Sequence, residues 1–189
     1  MRRSGKALIV AGVLLIAVSL GILLTDHIQT KKTMADASGI LEQLAAVLPP
    51  RTTGMPDTYS NMQMPALQVG AHDVIAILKI PAFGIQLPVC SSWEDNTGLP
   101  KRFSGSVYDD SLIIGGSGKQ GQFDCFDTIQ DGAEITVTDM TGAEFTYTVA
   151  RIQRSDSAAA QILKTDAFDL TLFTRDALSM EYLILRCVR

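Results

Sequence analysis

The sequence predicts a mostly β fold, a closed barrel of about seven to eight strands with short helices, behind a single membrane-spanning helix. Three observations predict it. Residues 7–24, "ALIVAGVLLIAVSLGILL", carry no charge. From residue 74 onward apolar side chains recur with period two, the spacing of half-buried strands. Only one short stretch among those runs has helical spacing, so no set of helices is available to cover an open sheet. The 189 residues suit one ordinary domain and a short appendage.

The uncharged block comes first. Eighteen helical residues span about 27 Å, close to the hydrocarbon thickness of a bilayer. The block has no polar stripe of the kind a globular helix turns to water. Arg2, Arg3 and Lys6 precede it, so the N-terminus is expected in the cytoplasm and the remainder outside, as a single-pass protein of the plasma membrane. A cleaved signal peptide is the alternative, although "TDHIQTKK" follows the block without a small-x-small site. The expected organisation is a basic tail over 1–6, the anchor over 7–24, an extracellular helix and linker arm over 25–72, and the barrel over 73–189.

Within the arm, Ile40, Leu41, Leu44, Val47 and Leu48 recur at helical spacing. Ser38 is the expected cap of this short amphipathic helix, and Pro49 and Pro50 stop it. Residues 49–70 show no lasting periodicity and read as a linker; Met55, Met62 and Met64 raise a docking segment that composition alone does not require. "VIAILKIPAFGIQLPVC" then supplies two strands around a Pro81–Gly84 turn, and "DSLIIGGS" a strand running into a glycine loop. "AEITVTDMTGAEFTYTVARI" is a hairpin turning at Thr141-Gly142. "AAAQILKT" offers one or two helical turns, and "DLTLFT" and "EYLILRCV" are the closing strands.

Charge and motifs exclude several functions. Residues 1–32 carry five basic groups and one acid, whereas the remainder carries 11 basic and 19 acidic groups. An acidic exported domain lacks the clustered basic side chains that bind nucleic acid. "GGSGKQG" has neither the spacing nor the hydroxyl of a nucleotide-phosphate loop. Asp109 and Asp110 are adjacent and read as a turn; Asp124, Asp127 and Asp131 read as a solvated rim rather than a calcium site. Cys90, Cys125 and Cys187 lack zinc or redox spacing, and one disulfide of unspecified pairing is open to them. Each is a less favoured nucleophile, because neither His27 nor His72 is near in sequence. No metal and no cofactor is expected.

Several strings together resemble the sortases, membrane-anchored cysteine transpeptidases of Gram-positive bacteria, over roughly residues 73–188. "AILKIPAFGIQLPV" resembles the family's first paired strands. "SSWEDNTGLPKRFSGSVYDDSLIIGG" is most similar to class B members, "GQFDCFDTIQDGAEITVTDMTGAEFTYTV" to the middle segment and hairpin, and "LTLFTR" and "YLILRC" to the last two strands. The span 152–168 is short for class B, whose corresponding loop carries a substantial helix. The resemblance implies a sortase-like barrel and a catalytic histidine, cysteine and arginine. At those places this chain has Gly116, Arg175 and Tyr182, with Arg186 four residues on; a register shifted to Glu181 supplies no arginine either. A glycine in place of the histidine is expected to enlarge the local space.

Without a thiolate no acyl-enzyme forms, and without an imidazole no general acid serves the leaving amine. The resemblance therefore implies a catalytically inactive relative at the cell surface. Ser117, Thr174, Arg175, Tyr182 and Arg186 are its candidate groove-binding residues. The implied partner is a sorting-signal peptide, a pilin-like protein or an active sortase. Two alternatives stand beside it: an active transpeptidase with an unusual nucleophile, and a structural or adhesive envelope protein.

Overall fold

A computed structural model describes residues 2–53, 63–93, 97–156, 167–176 and 179–189, with side chains from residue 9. Helix α1 runs without interruption over Arg2–Val47. Among the described residues ten strands follow: β1 Thr52–Thr53, β2 Leu67–Val69, β3 His72–Ile80, β4 Ile85–Cys90 and β5 Lys101–Ser104, then β6 Leu112–Ser117, β7 Glu134–Asp139, β8 Ala143–Ser155, β9 Leu170–Arg175 and β10 Tyr182–Val188. Single 3-10 turns stand at Pro81–Phe83 and Asp124–Asp127.

Eight of these strands close on themselves in the order β8-β10-β9-β6-β5-β4-β3-β7, because β7 pairs with both β3 and β8. Closure leaves the barrel without open edges. β1 and β2 lie outside the ring, on β8 and β3. Most pairings are antiparallel; β6–β9, β4–β5 and β1–β8 are parallel. Within the ring, the strand that period two does not reveal is β5. Its "KRFS" carries two charges, it meets β4 through one bridge, and none of its residues is buried.

Ser38 does not cap a separate helix, as the sequence reading expected. The stretch between Leu24 and Ser38 contains no proline or glycine to break the turn, and the hydroxyls of Thr30, Thr33 and Ser38 donate back to carbonyls four residues earlier at 2.9–3.1 Å. The anchor and the arm helix are thus one rod. It ends at Val47, ahead of Pro49 and Pro50. Ala37, Ile40 and Leu44 are buried on the barrel, which gives the rod's distal third a stable seat. The expected linker also contains order: Met64 is buried in the core and β2 follows it. Met55 and Met62, and the short helix expected in "AAAQILKT", lie outside the described residues.

The β7–β8 hairpin turns where expected, with Gly142 at φ 84°. Its anchor is Asp139, fully buried at 0% exposure. One carboxylate oxygen accepts from Thr141 N, Thr141 Oγ1 and Ala143 N at 2.8, 2.7 and 2.9 Å, and the other accepts from Tyr108 Oη at 2.6 Å. A buried carboxylate is tolerated only with such a full set of donors.

Candidate functional site

Strand register assembles the site. β6 lies parallel to β9, pairing Gly116 with Thr174 and Ser117 with Arg175. β10 runs antiparallel on the far side of β9, pairing Tyr182 with Arg175 and Leu183 with Thr174. The positions 116, 117, 174, 175 and 182 are therefore neighbours at one end of three adjacent strands.

Strand alternation then splits them between two faces. Leu112 and Ile114, Leu170 and Leu172, and Leu183, Leu185 and Cys187 all join the barrel core. Gly116 and Thr174 continue those inward rows. Ile113, Phe173 and Ile184 form a second cluster with Tyr182 on the outer face, the side to which Ser117 and Arg175 belong. Thr174 is 1% exposed, and its Oγ1 has no hydrogen-bond partner among the described residues. It faces the interior, not the groove.

The expected space above Gly116 is filled. A Cβ there would lie 2.4 Å from Cε2 of Phe123, whose buried ring stacks on Phe126 at 4.5 Å. A Cβ on Gly115 would lie 2.4 Å from Trp93 and 2.6 Å from Phe173. Each glycine accommodates an aromatic ring pressed against the strand, one inside the barrel and one outside.

On the outer face an aromatic band crosses the strands. Trp93 meets Phe103 at 5.3 Å and Phe173 at 5.6 Å, and Phe173 meets Tyr182 at 6.5 Å. The Arg175 guanidinium stands 5.7 Å from the Tyr182 ring, within cation–π reach. Arg175 is exposed and donates through Nε to Met180 O at 3.3 Å. Trp93 is 47% exposed and Phe103 37%, so the band presents apolar surface to solvent. A cleft of about 220 Å³ lies beside it, lined by Trp93, Gly98, Lys101, Gly115 and Ser117. It adjoins a smaller recess between α1 and the β6 loop, lined by Gln29, Thr30, Thr33, Ser117 and Lys119.

The role of Phe103 and Phe173 is not legible from their own strings. Phe173 reads as one more apolar residue of the "LTLF" run, and only the register shows it facing outward with Trp93.

Arg186 lies elsewhere. It is four residues along β10 from Tyr182, about 13 Å away, and 2% exposed. It donates to Thr171 Oγ1 at 2.8 Å and Gln153 Oε1 at 3.3 Å, beneath the Phe168 ring at 5.6 Å. Burial lowers its pKa, with the neighbouring Cys187 acting in the opposite sense. This arginine braces the sheet and does not line the cleft.

None of the three cysteines forms a disulfide, and all are buried. Burial, with Asp124 nearby, pushes the Cys125 thiol up to about 11; burial pushes Cys187 up to about 12 despite Arg186 beside it. Cys90 is 0% exposed, with Sγ 3.9 Å from Thr97 Oγ1. Burial withholds all three from solvent, and at Cys125 and Cys187 it also suppresses the thiolate that a nucleophile requires. In the native protein an aromatic disulfide reagent at pH 8 is expected to leave all three thiols unmodified for minutes, and to titrate all three in denaturant. One thiol reacting rapidly without denaturant would contradict this placement.

The acidic residues serve local structure. Asp109 accepts from Ser106 N at 3.2 Å, and Asp110 pairs with Arg189 at 2.8 Å. Asp124 accepts from Gly121 N at 3.2 Å, and Asp127 pairs with Arg154 at 2.5 Å. No group of three metal-ligating side chains occurs among the described residues.

No protein-family profile matches the sequence, and no curated protein does. Solved structures do. Sortase A from Corynebacterium diphtheriae superposes with a TM-score of 0.54 at 22% identity, over 62% of this chain and 61% of that one. The chain thus spans about three fifths of the length of that protein. Sortase C1 from Streptococcus agalactiae gives 0.53 at 23% identity, over 71% and 77%. Sortase C-3 from Streptococcus pneumoniae gives 0.54 at 17% identity, over 85% and 81%. The likeness establishes a sortase-like fold, joined here to an apolar helix long enough to cross a membrane.

Proposed function

We propose that this chain is a membrane-anchored, sortase-like protein that holds a peptide or protein partner without cleaving it. The observation that carries the reading is the register that sets Gly116, Arg175 and Tyr182 side by side, the places where the family's histidine, cysteine and arginine are expected. Arginine keeps its proton and has no lone pair for acyl transfer. The thiols that remain are buried, two of them with raised pKa values. What is left at the surface is binding chemistry. The Trp93–Phe103–Phe173 band takes apolar side chains, while Arg175 and the Tyr182 hydroxyl meet a backbone carbonyl or carboxylate.

On this reading residues 7–24 hold the barrel at the outer face of the plasma membrane, and the occupant is a sorting-signal peptide, a pilin-like protein or an active sortase. The class B likeness rests on the sequence strings alone, since the structures quoted above are of classes A and C. The test titrates sorting-signal peptides into the full chain and follows the emission of Trp93, the sole tryptophan. Saturable binding is expected, weakened about tenfold by Arg175→Ala, the size of a charge-assisted hydrogen bond. No amine exchange should accompany it. Turnover that depends on any cysteine would overturn the reading.

A second reading is favoured by the Phe123 ring that fills the space over Gly116: a structural or adhesive envelope protein that has kept the barrel and not the groove. Folded protein that binds none of the peptides would decide for it.

A further inference from the structure

The recess between α1 and the β6 loop has a feature the aromatic groove lacks: its height above the membrane follows from the helix. Because α1 is unbroken from the apolar block to the barrel, each residue beyond Leu24 adds about 1.5 Å along the helix axis. Asp26 stands about 3 Å beyond Leu24, Gln29 and Thr30 roughly 8 and 9 Å, and Thr33 roughly 14 Å. The headgroup layer is about 5–8 Å thick on each side of the hydrocarbon, so Asp26 lies within it, Gln29 at its outer edge, and Thr30 and Thr33 just above it. Lys119 is ion-paired with Asp26, so the β6 loop reaches down into that layer.

The groups collected there suit a phosphodiester. Lys119 contributes an ammonium with three donors, of which Asp26 engages one. The Gln29 amide and the Ser117 hydroxyl can add two more donors on the same recess. Thr30 and Thr33 donate their hydroxyl protons to helix carbonyls, which leaves their oxygens as acceptors for headgroup hydroxyls. Gln122 holds the loop in place: its amide donates to Gly98 O at 2.8 Å and accepts from Ser117 N at 3.3 Å. Lys31 and Lys32 are exposed on α1 about 10–12 Å beyond Leu24, on the face turned away from the barrel, and add positive charge near the surface without lining the recess. Positive charge within a Debye length of the surface is attracted to an anionic leaflet.

We propose that the recess formed by Gln29, Ser117 and Lys119 binds the phosphate of an anionic glycerophospholipid headgroup. A bound headgroup would tie the β6 loop to the membrane surface and hold the adjoining cleft, which shares Ser117, at a set distance from the bilayer. The site rests on α1 as the anchor and is independent of whether a peptide occupies the aromatic groove.

The test uses the full chain in a neutral detergent, titrated with a short-chain phosphatidylglycerol and separately with inorganic phosphate, reading Trp93 emission. The lipid is expected to give a saturable change that Lys119→Gln weakens about tenfold. Asp26→Asn should tighten it by removing the competing carboxylate. Gln29→Ala, which leaves the ion pair intact, should weaken it about threefold, as for a neutral hydrogen bond. Arg175→Ala should leave lipid affinity unchanged, so that failure of the peptide reading and failure of this one are distinguishable. A non-saturable response, equal affinity for the Lys119 and Gln29 variants, or an equal response to inorganic phosphate would overturn the assignment.

Discussion

Placing a histidine at position 116 is expected to damage the protein rather than create an enzyme. The Cβ alone would come within 2.4 Å of the Phe123 ring, and that ring is 1% exposed and stacked on Phe126, so it has nowhere to retreat. Overpacking of this kind costs about 3 kcal/mol. For a chain of this size that lowers the melting temperature by roughly 6–12 °C. Arg175→Cys, by contrast, changes an exposed side chain at the end of β9 and should shift stability by less than about 0.5 kcal/mol. The combined variant should show no amine exchange with sorting-signal peptides, because the new thiol gains no positioned base.

Thermal melts and a peptide-exchange assay check both statements. Phe123→Ala placed beside Gly116→His should recover part of the loss, since the two positions compete for one volume. A Gly116→His protein that melts like the parent would show that Phe123 does not occupy that volume. Turnover in the double variant would show that the sheet can present a working site.

The second large effect is expected at Asp139. Its carboxylate takes four donors, two of them the backbone N–H groups that shape the β7–β8 turn. Asp139→Ala leaves those donors buried without an acceptor, and about 3–4 kcal/mol should be lost. That is a large share of the 5–15 kcal/mol typical of a domain. Asp139→Asn retains one acceptor oxygen for the turn and lets the Tyr108 hydroxyl reverse its role, so it should cost about 1 kcal/mol. Tyr108→Phe removes a single donor and should fall near the same value. Urea unfolding of the three variants tests the order. An alanine variant within 1 kcal/mol of the parent would mean that water, not Asp139, satisfies the turn.

How much of this was legible beforehand depends on the range over which each feature is decided. Alternation in "AEITVTD" and "LTLFT" and the Thr141-Gly142 turn arise from neighbours two to four residues apart, and the strands and hairpin stand where those patterns put them. β5 has no such pattern, because its place is set by the strands on either side. The cap assigned to Ser38 was wrong for a related reason: a favourable capping residue competes with a helix that nothing upstream has stopped. At the site, the neighbouring of Gly116, Arg175 and Tyr182 followed from aligning strand ends. The inward turn of Thr174, the burial of Arg186 and the ring over Gly116 did not.

By itself the sequence determined the apolar helix, most of the barrel strands, and the identity of Gly116 and Arg175 at the ends of their strands. These depend on residue identity and on spacing along the chain. Only the tertiary structure decided that Phe123 occupies the volume over Gly116, that Trp93, Phe103 and Phe173 make one outer band, and that Lys119 reaches Asp26 across 93 residues of chain. The physical reason is that packing and ion pairing depend on which strands the closed barrel brings together and on which face each side chain leaves the sheet.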